Sequence, residues 1–211
     1  VHSVISGSDA VIFCIGIVRQ FPGKNITYEN LHFRGAKTCM AVAEELKSKR
    51  FILMSANGVK PDGTEYQRTK YLAEEYLKTT GLDYTIFRPS LIFGDPRGQD
   101  RPEFCTQLRD QLIRLPLPAP LFYSGLLPND AGKFEMSPVY VKDVCSIFVQ
   151  SLSRKDSIGQ VYELGGPENF DWKTIIKTIG KTLGKNKWTV PAPALGVKSV
   201  AVLMDRFSFF P

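Results

Sequence analysis

Apolar and polar positions along the chain alternate between two patterns, one typical of buried strands and one of amphipathic helices. Short apolar or β-branched runs predict strands at 9–18, 50–54, 84–87, 136–141 and 161–164. Segments with apolar positions at helical spacing predict helices over 27–48, 65–78 and from 143, with Asp143 as the cap, through 152. Strands that alternate with helices in this order predict a doubly wound, parallel α/β sheet.

The chain after residue 94 has a different character. Residues 94–102 are rich in turn formers, a helix is predicted over 104–115, and the proline-rich run 116–120 should be extended and followed by a loop over 121–134. A later helix over 172–183 should be capped by Asp171 and ended by Gly184. We expect residues 1–164 to form one α/β domain, with 95–135 contributing to a substrate lobe, and residues 165–211 to form a small C-terminal lobe.

Composition restricts the function classes. The 211 residues are 43% hydrophobic and 23% charged, which suits one globular domain with an appended lobe. The net charge of +6 comes from scattered basic residues, as in an ordinary solvated surface; an anionic ligand is the second interpretation. No nucleic-acid-binding motif accompanies this charge, so we expect no nucleic-acid partner.

The cysteines and histidines argue against a disulfide framework or a metal site. Cys14, Cys39, Cys105 and Cys145 contain no Cys-x-x-Cys pair, and Cys14 and Cys145 lie in apolar segments, so we expect reduced, partly buried thiols. A chain with two histidines has few metal ligands. No apolar run is long enough to span a bilayer, and the expected location is a reducing one, the cytoplasm or the interior of an organelle.

The segment from Phe51 to Asp95 carries the residues with the clearest chemical potential. Tyr66 and Lys70 lie one turn apart on the predicted helix, so their side chains share a face. A nearby ammonium favours the phenolate, which would let the pair act as a general acid or base. Ser55 ends the preceding strand at the edge where α/β sheets bind ligands. The alternative is a partly buried tyrosine and a solvated lysine, one turn apart by chance.

The run SANGVKPDGTEYQRTKYLAEEYLKTTGLDYTIFRPSLIFGDP resembles the atypical and extended short-chain dehydrogenase/reductase superfamily. Within it, the chain is similar to NAD(P)H-binding, NmrA-like proteins and to the nucleotide-binding accessory subunit of respiratory complex I. SGSDAVIFCIG resembles the fourth strand of that fold, ENLHFRGAKTCMAVAEEL the following helix, and SPVYVKDV and YELGGPENFDWKTIIKTIGKTLGK later units. The resemblance is specific for the superfamily and implies no particular reaction.

The resemblance implies roles for individual residues. Tyr66 would be the catalytic acid or base, Lys70 would lower its pKa and hold the nicotinamide ribose, and Ser55 would bind the substrate oxygen. Ser55 and Lys70 would also belong to the cofactor site, together with Cys14, Ile15, Gly16, Arg88, Pro89 and Ser90. Arg88 could instead be an ion-pair residue at a strand end, and Pro89 a turn former.

The chain departs from the family in one respect. The family begins with a strand, a Gly-x-x-Gly-x-x-Gly turn and a helix that receives the pyrophosphate, and no such turn occurs here. The chain is interpreted as an N-terminally truncated piece of a longer protein, with a truncated C-terminal lobe, or else as a reduced protein. We expect it to bind NAD or NADP weakly, with a slight preference for NADP.

Two classes of function remain open. The first is an NAD(P)-dependent oxidoreductase or epimerase-type enzyme with an unidentified small-molecule substrate, a sugar nucleotide among the possibilities. The second is a non-catalytic nucleotide-binding sensor, or an accessory subunit of a larger, complex I-like assembly, with the apolar tail after residue 195 as a surface for a protein partner.

Overall fold

The computed structural model describes residues 1–97 and 103–194, which fall into two compact units. Unit 1 comprises Val1–Ser90 and Val139–Gly165, and unit 2 comprises Leu91–Pro138 and the chain from Gly166 onward. Residues 98–102 of the predicted turn-rich stretch 94–102, and the apolar tail from residue 195, lie outside the described residues. No helix of the described residues is long and apolar enough to cross a membrane.

The elements are numbered through the whole described chain. The helices are α1 (His2–Ile5), α2 (Gly35–Glu45), α3 (Glu65–Lys78), α4 (Phe104–Leu108), α5 (Val141–Ser151) and α6 (Trp172–Thr182). The strands are β1 (Ala10–Phe13), β2 (Arg50–Met54), β3 (Asp83–Pro89), β4 (Ile92–Phe93), β5 (Ala119–Tyr123), β6 (Glu135–Met136), β7 (Val139–Tyr140), β8 (Gln160–Leu164), β9 (Phe170–Asp171) and β10 (Thr189–Pro193). Two π-helical segments, Glu29–Arg34 and Arg109–Ile113, adjoin α2 and α4.

Unit 1 is built on a four-stranded parallel sheet in the order β1-β2-β3-β8. Its register places Ile12 opposite Ile52 and Ile86 opposite Val161. Parallel strands need long crossover connections, and helices supply them here. The predicted parallel α/β sheet is therefore confirmed.

The two faces of this sheet are covered by different helices. Phe51, Leu53 and Ile86 pack with buried residues of α2 and α3 on one face. Because side chains alternate along a strand, Phe87 points to the other face, where its ring lies 4.7 Å from that of Phe148 on α5. Helices on both faces are the doubly wound arrangement that the sequence predicts.

The first strand is much shorter than predicted. The apolar run 9–18 suggests a strand buried on both faces, whereas β1 spans four residues and Ile12 is 41% exposed. Beyond Phe13 the chain no longer pairs with β2, because its backbone groups form hydrogen bonds with side chains instead. His32 accepts a hydrogen bond from the Ile17 N–H, and Lys70 donates one to the Ile15 carbonyl.

Unit 2 contains a parallel strand pair that the sequence analysis missed. β5 and β10 pair from Ala119 opposite Thr189 to Tyr123 opposite Pro193. Prolines within both segments argue against strands, because proline cannot donate to a ladder; a two-stranded pair tolerates them, since each strand has a free edge. Behind this pair lies a small core of Ile113, Ala119, Leu121, Trp172 and Ile176.

Other boundaries follow local capping and turn chemistry. α6 begins at Trp172, and the Asp171 side chain accepts a hydrogen bond from the Thr174 N–H, as the sequence predicts. The prediction for Asp143 as a cap is wrong: α5 begins at Val141, so Asp143 lies inside the first turn. The predicted strand 136–141 is divided, because Ser137 and Pro138 separate β6 from β7.

Candidate functional site

The candidate site lies at the carboxyl edge of the sheet in unit 1. Cys14 follows β1, Ser55 follows β2 and Ser90 follows β3, and parallel strands bring these three positions to one edge. The backbone N–H groups of Ser55 and Ser90 donate to the Phe87 and Leu164 carbonyls, which fixes the strand ends. The sheet thus holds rigid backbone where α/β proteins bind ligands.

Lys70 connects two of these strand ends. Its side chain projects from α3, is only 5% exposed, and donates hydrogen bonds to the Met54 carbonyl at 2.9 Å and the Ile15 carbonyl at 3.4 Å. Burial lowers the pKa of Lys70 to about 8, although Cys14 and Glu74 act in the opposite direction. The ammonium group is therefore held at the edge, close to the backbone of the 14–17 segment.

His32 fixes the same segment from its other side. The ring is 1% exposed, and its Nε2 accepts a hydrogen bond from the Ile17 N–H at 3.0 Å. Nε2 is therefore unprotonated, and we assign the ring proton to Nδ1, which lies 3.3 Å from Thr69 Oγ1. Burial, and then the charge of Lys70, lower the pKa of His32 to about 4, so the ring is neutral at physiological pH.

Gly16 leaves space between these two basic side chains. A Cβ atom at this position would lie 3.4 Å from Lys70 Nζ and 3.8 Å from His32 Nε2. Any larger side chain would fill the space beside the ammonium. The glycine therefore lets another molecule approach the backbone and Lys70 together.

Tyr66 lies next to His32 rather than in open solvent. Its ring packs edge-on against His32 and Tyr28, with ring centres 5.1 and 5.6 Å apart. Burial and Tyr28 raise the pKa of Tyr66, which is the opposite direction to the lowering expected from Lys70. Withdrawal from water disfavours the phenolate, so the phenol is protonated at neutral pH.

Ser55 is engaged in a separate polar network. Its buried hydroxyl donates to the carboxylate of Glu74, which is fully buried on α3. Arg88 donates to the same carboxylate through Nε at 3.0 Å and Nη2 at 2.6 Å, and to Glu163 through Nη1 at 3.0 Å. The hydrogen bond to Glu74 raises the pKa of Arg88 further above its ordinary value. The hydroxyl proton of Ser55 is therefore engaged in its hydrogen bond to Glu74.

The structure therefore brings some of the predicted residues together and separates others. Lys70 lies beside Ile15 and Gly16 at the end of β1. The ring of Tyr66 packs against His32, which lies next to Gly16. Pro89 ends β3, and its carbonyl accepts a hydrogen bond from the Asn57 N–H. Ser55 and Arg88 belong to the Glu74 network, in agreement with the ion-pair interpretation of Arg88.

Three residues of the site were not predicted. Glu74 follows Lys70 by one helical turn, so the helix spacing alone could have placed it near the strand ends. No such signal in the sequence pointed to His32 or Tyr28. His32 lies in a π-helical segment and Tyr28 directly precedes it, and the backbone of this segment sets the direction of the His32 side chain. Such segments frequently occur at functional sites, but hydrophobic periodicity does not distinguish them from an α-helix.

The cysteines differ in exposure from the prediction. All four are free thiols, but Cys14 and Cys145 are exposed, whereas an apolar setting suggested partial burial. Cys39 and Cys105 are half-buried, as expected. Within residues 1–97 and 103–194, no group of three or more potential metal ligands is clustered closely enough to hold an ion.

A family model described as NAD(P)H-binding matches residues 1–107 of the chain. That stretch contains β1, β2, β3 and α3, and therefore every element that builds the candidate site except β8.

Curated relatives include subunits of mitochondrial NADH dehydrogenases. The chain is 24% identical over 212 residues to the NADH-ubiquinone oxidoreductase 40 kDa subunit of Neurospora crassa, covering all of this chain and 52% of that protein. It is 28% identical over 176 residues to the NADH dehydrogenase [ubiquinone] 1 alpha subcomplex subunit 9 of Arabidopsis thaliana, covering 81% of this chain and 39% of that protein. The chain thus spans about half the length of such relatives, or less.

Solved structures share the fold. A UDP-glucuronic acid 4-epimerase from Bacillus cereus in complex with NAD gives a TM-score of 0.72 at 20% identity, over 91% of this chain and 64% of that one. A short-chain dehydrogenase/reductase superfamily protein from Agrobacterium tumefaciens with bound NAD gives 0.70 at 17% identity, over 92% and 70%. At these identities the similarity concerns the fold alone.

Proposed function

Because the chain belongs to the NAD(P)H-binding family, we propose that unit 1 binds the nicotinamide half of NAD(P) at the carboxyl edge of its sheet. One observation carries the proposal: Gly16, His32 and Lys70 converge at the end of β1, where no side chain of residue 16 separates the backbone from the buried ammonium. An ammonium is a hydrogen-bond donor that suits a ribose hydroxyl.

The residues present fit this half of the cofactor. Lys70 would hold the ribose, and the backbone of Ile15 and Gly16 would lie against the nicotinamide. The partly exposed Ile15 side chain would contact an apolar ring face. For the choice of cofactor, NADP is preferred, since an additional phosphate suits a chain of net charge +6. Affinities for NADPH and NADH at equal ionic strength test that preference.

The variant Lys70→Met tests cofactor binding. Methionine keeps the length and the buried stem but removes the charge, so the dissociation constant for NADPH should rise by about tenfold or more, roughly 1.4 kcal/mol. Lys78→Met, at the exposed end of α3, is the matched control and should leave NADPH binding unchanged. Equal fluorescence titration curves for the Lys70→Met variant and the parent chain would contradict the proposal.

The site also supports acid catalysis by Tyr66, as in an oxidoreductase or epimerase-type enzyme. When bound, the nicotinamide supplies or accepts a hydride. The protonated Tyr66 phenol would donate its proton to a substrate carbonyl oxygen, and Lys70 would hold the ribose beside it. Tyr66→Phe should lower turnover by about 10²–10⁴-fold while NADPH stays bound. Unchanged turnover would exclude Tyr66 as the acid.

A second role is favoured by the Ser55 network. Because the Ser55 proton is committed to Glu74, that hydroxyl is a poor donor to a substrate, which suits a protein that binds the nucleotide without turning it over. The chain would then be an accessory subunit of a mitochondrial NADH-oxidising assembly, the kind of assembly named in its relatives. Native electrophoresis tests this role: the chain should migrate with in-gel NADH oxidation, and a monomer free of any partner would contradict it.

A further inference from the structure

Unit 2 contains a cavity of about 350 Å³ that the nucleotide site does not use. Apolar side chains make up most of its lining: Phe93, Phe104, Cys105, Pro138, Pro167, Phe170, Ile175 and Ile179. Glu168 and Thr178 are the polar residues of the lining, and both are exposed.

The cavity follows from the way α6 packs. Trp172 and Ile176 point into the core of unit 2, whereas Ile175 and Ile179, one turn apart, face the cavity. Phe104 at the start of α4 lines it as well. Helices therefore form much of the wall, and the cavity is a built feature of the fold.

The charge of the lining restricts what can bind. No lysine, arginine or histidine belongs to the described residues that line the cavity, and its one ionisable carboxylate is Glu168. Among these described lining residues, a phosphate or carboxylate ligand would find no cation and would be repelled by Glu168. The cavity therefore does not suit a dinucleotide or a sugar nucleotide.

The volume sets the size of the ligand. An apolar cavity of roughly 150 Å³ accommodates one benzene molecule, so the present cavity accommodates about two rings or a chain of about ten carbons. Three phenylalanine rings in the wall offer edges and faces against which an aromatic ring can pack.

We propose that this cavity binds an uncharged, apolar small molecule, such as a bicyclic aromatic ring or an acyl chain of similar volume. The described lining residues all belong to unit 2, and the ligand class differs from that of the dinucleotide. Such pockets, largely apolar with few polar groups, are the usual form of small-molecule sites.

Two probes that share one ring skeleton test the charge preference. 2-Naphthalenemethanol is uncharged, and 2-naphthoate carries a carboxylate on the same rings. By calorimetry, we expect saturable binding of the alcohol to the full chain. The naphthoate should bind more weakly by about tenfold or more, because Glu168 repels its carboxylate. Equal affinity for both probes, or no saturable binding of the alcohol, would overturn the proposal.

A matched pair of variants locates the binding site. Thr178→Trp places a large ring at the exposed rim of the cavity and should abolish binding of the alcohol. Lys181→Trp puts the same ring on an exposed position of α6 outside the lining, and should leave binding intact. Identical affinities for the two variants would place the probe elsewhere and overturn the assignment.

Cysteine alkylation gives a second measurement that does not depend on a variant. Cys105 lines the cavity, whereas Cys39 is a half-buried thiol on α2 in unit 1. Burial and Glu103 raise the pKa of Cys105 to about 11, so alkylation is carried out at alkaline pH with iodoacetamide, from which the thiolate displaces iodide. The alcohol should slow alkylation of Cys105 and not of Cys39, measured on peptides by mass spectrometry; equal rates with and without the alcohol contradict the proposal.

Discussion

At the scale of single residues, Arg50 on β2 connects the sheet of unit 1 to the segment from the end of α5 to Ser157. Its buried guanidinium donates to the Asp83 carbonyl, to Thr85 Oγ1 and to the Ser151 carbonyl, each at 2.7 Å, and to Ser157 Oγ at 2.9 Å. β3 and the end of α5 thus bind the same guanidinium group. These hydrogen-bond partners are carbonyl and hydroxyl oxygens rather than a carboxylate.

Arg50→Met should destabilise the protein by about 2–4 kcal/mol, because several buried acceptors would lose their donor. Arg154→Met removes an exposed arginine that pairs with Asp156, and should leave the unfolding midpoint almost unchanged, because solvent screens an exposed ion pair. Urea unfolding midpoints of both variants check the expectation. Equal midpoints would mean that the Arg50 hydrogen bonds contribute no net stability.

His32 makes stability depend on pH over a defined window. The pKa of His32 in the folded protein is about 4, below the ordinary 6.5. Between these two pH values the unfolded chain therefore carries a proton on His32 that the folded chain does not. Stability should be unaffected by His32 above pH 6.5 and should fall as pH drops toward 4, by about 3 kcal/mol in total. His32→Gln should flatten this part of the curve, since its amide can still accept from the Ile17 N–H.

The parent chain is the reference for this pH experiment. The measurement is a series of urea titrations between pH 4 and 7. If His32→Gln and the parent chain give parallel curves, His32 is not the group that titrates.

At the scale of elements, α3 positions most of the candidate site. It carries Tyr66, Lys70 and Glu74, and a capping box fixes its start: Thr64 accepts from the Gln67 N–H while the Gln67 side chain accepts from the Thr64 N–H. The box satisfies two donors that helix ends leave free. Tyr66 lies in the first turn, so its position depends on this cap.

Thr64→Ala should destabilise the protein by about 1 kcal/mol through loss of the cap. Thr79→Ala at the other end of α3 removes a hydroxyl that donates only to the Tyr76 carbonyl, and should cost less. Thermal unfolding of the two variants makes the comparison, and a smaller shift for Thr64→Ala than for Thr79→Ala would contradict it.

Elements with strong local signals were predicted well from the sequence. β2 and α3 have the predicted boundaries, Arg50–Met54 and Glu65–Lys78, because an apolar run and a capped helix determine them locally. β5 and β10 were missed, since their pairing depends on segments far apart in the chain. The early end of β1 also escaped prediction, because the partners that replace its ladder come from α3 and the π-helical segment.

The strand topology beneath the candidate site was predictable from the sequence, whereas the surroundings of its side chains were not. Strand order and parallel pairing place Cys14, Ser55 and Ser90 at one edge, as a sequence pattern can show. The pKa of Tyr66 and the proton of Ser55 depend instead on burial and on partners such as Tyr28 and Glu74. Such partners become visible once side chains are packed.

At the scale of the whole molecule, the affinity for the dinucleotide is the property to measure. The 211 residues hold no Gly-x-x-Gly-x-x-Gly motif, the kind of turn whose backbone N–H groups bind a pyrophosphate. The 211-residue chain should therefore bind NADPH with micromolar or weaker affinity, although Lys70 and Gly16 are in place. Calorimetry on the purified chain provides the measurement, and nanomolar affinity would show that another cradle exists.

The discontinuity of unit 1 has a consequence for folding kinetics. β1, β2 and β3 follow one another along the chain, whereas the Arg88–Glu163 contact between β3 and β8 joins residues 75 positions apart. Closing so long a loop costs entropy before any contact rewards it, and non-local pairing slows folding. We therefore expect β8 to join the sheet last, so that the rate of forming the complete sheet depends on how compact the intervening 70 or so residues already are.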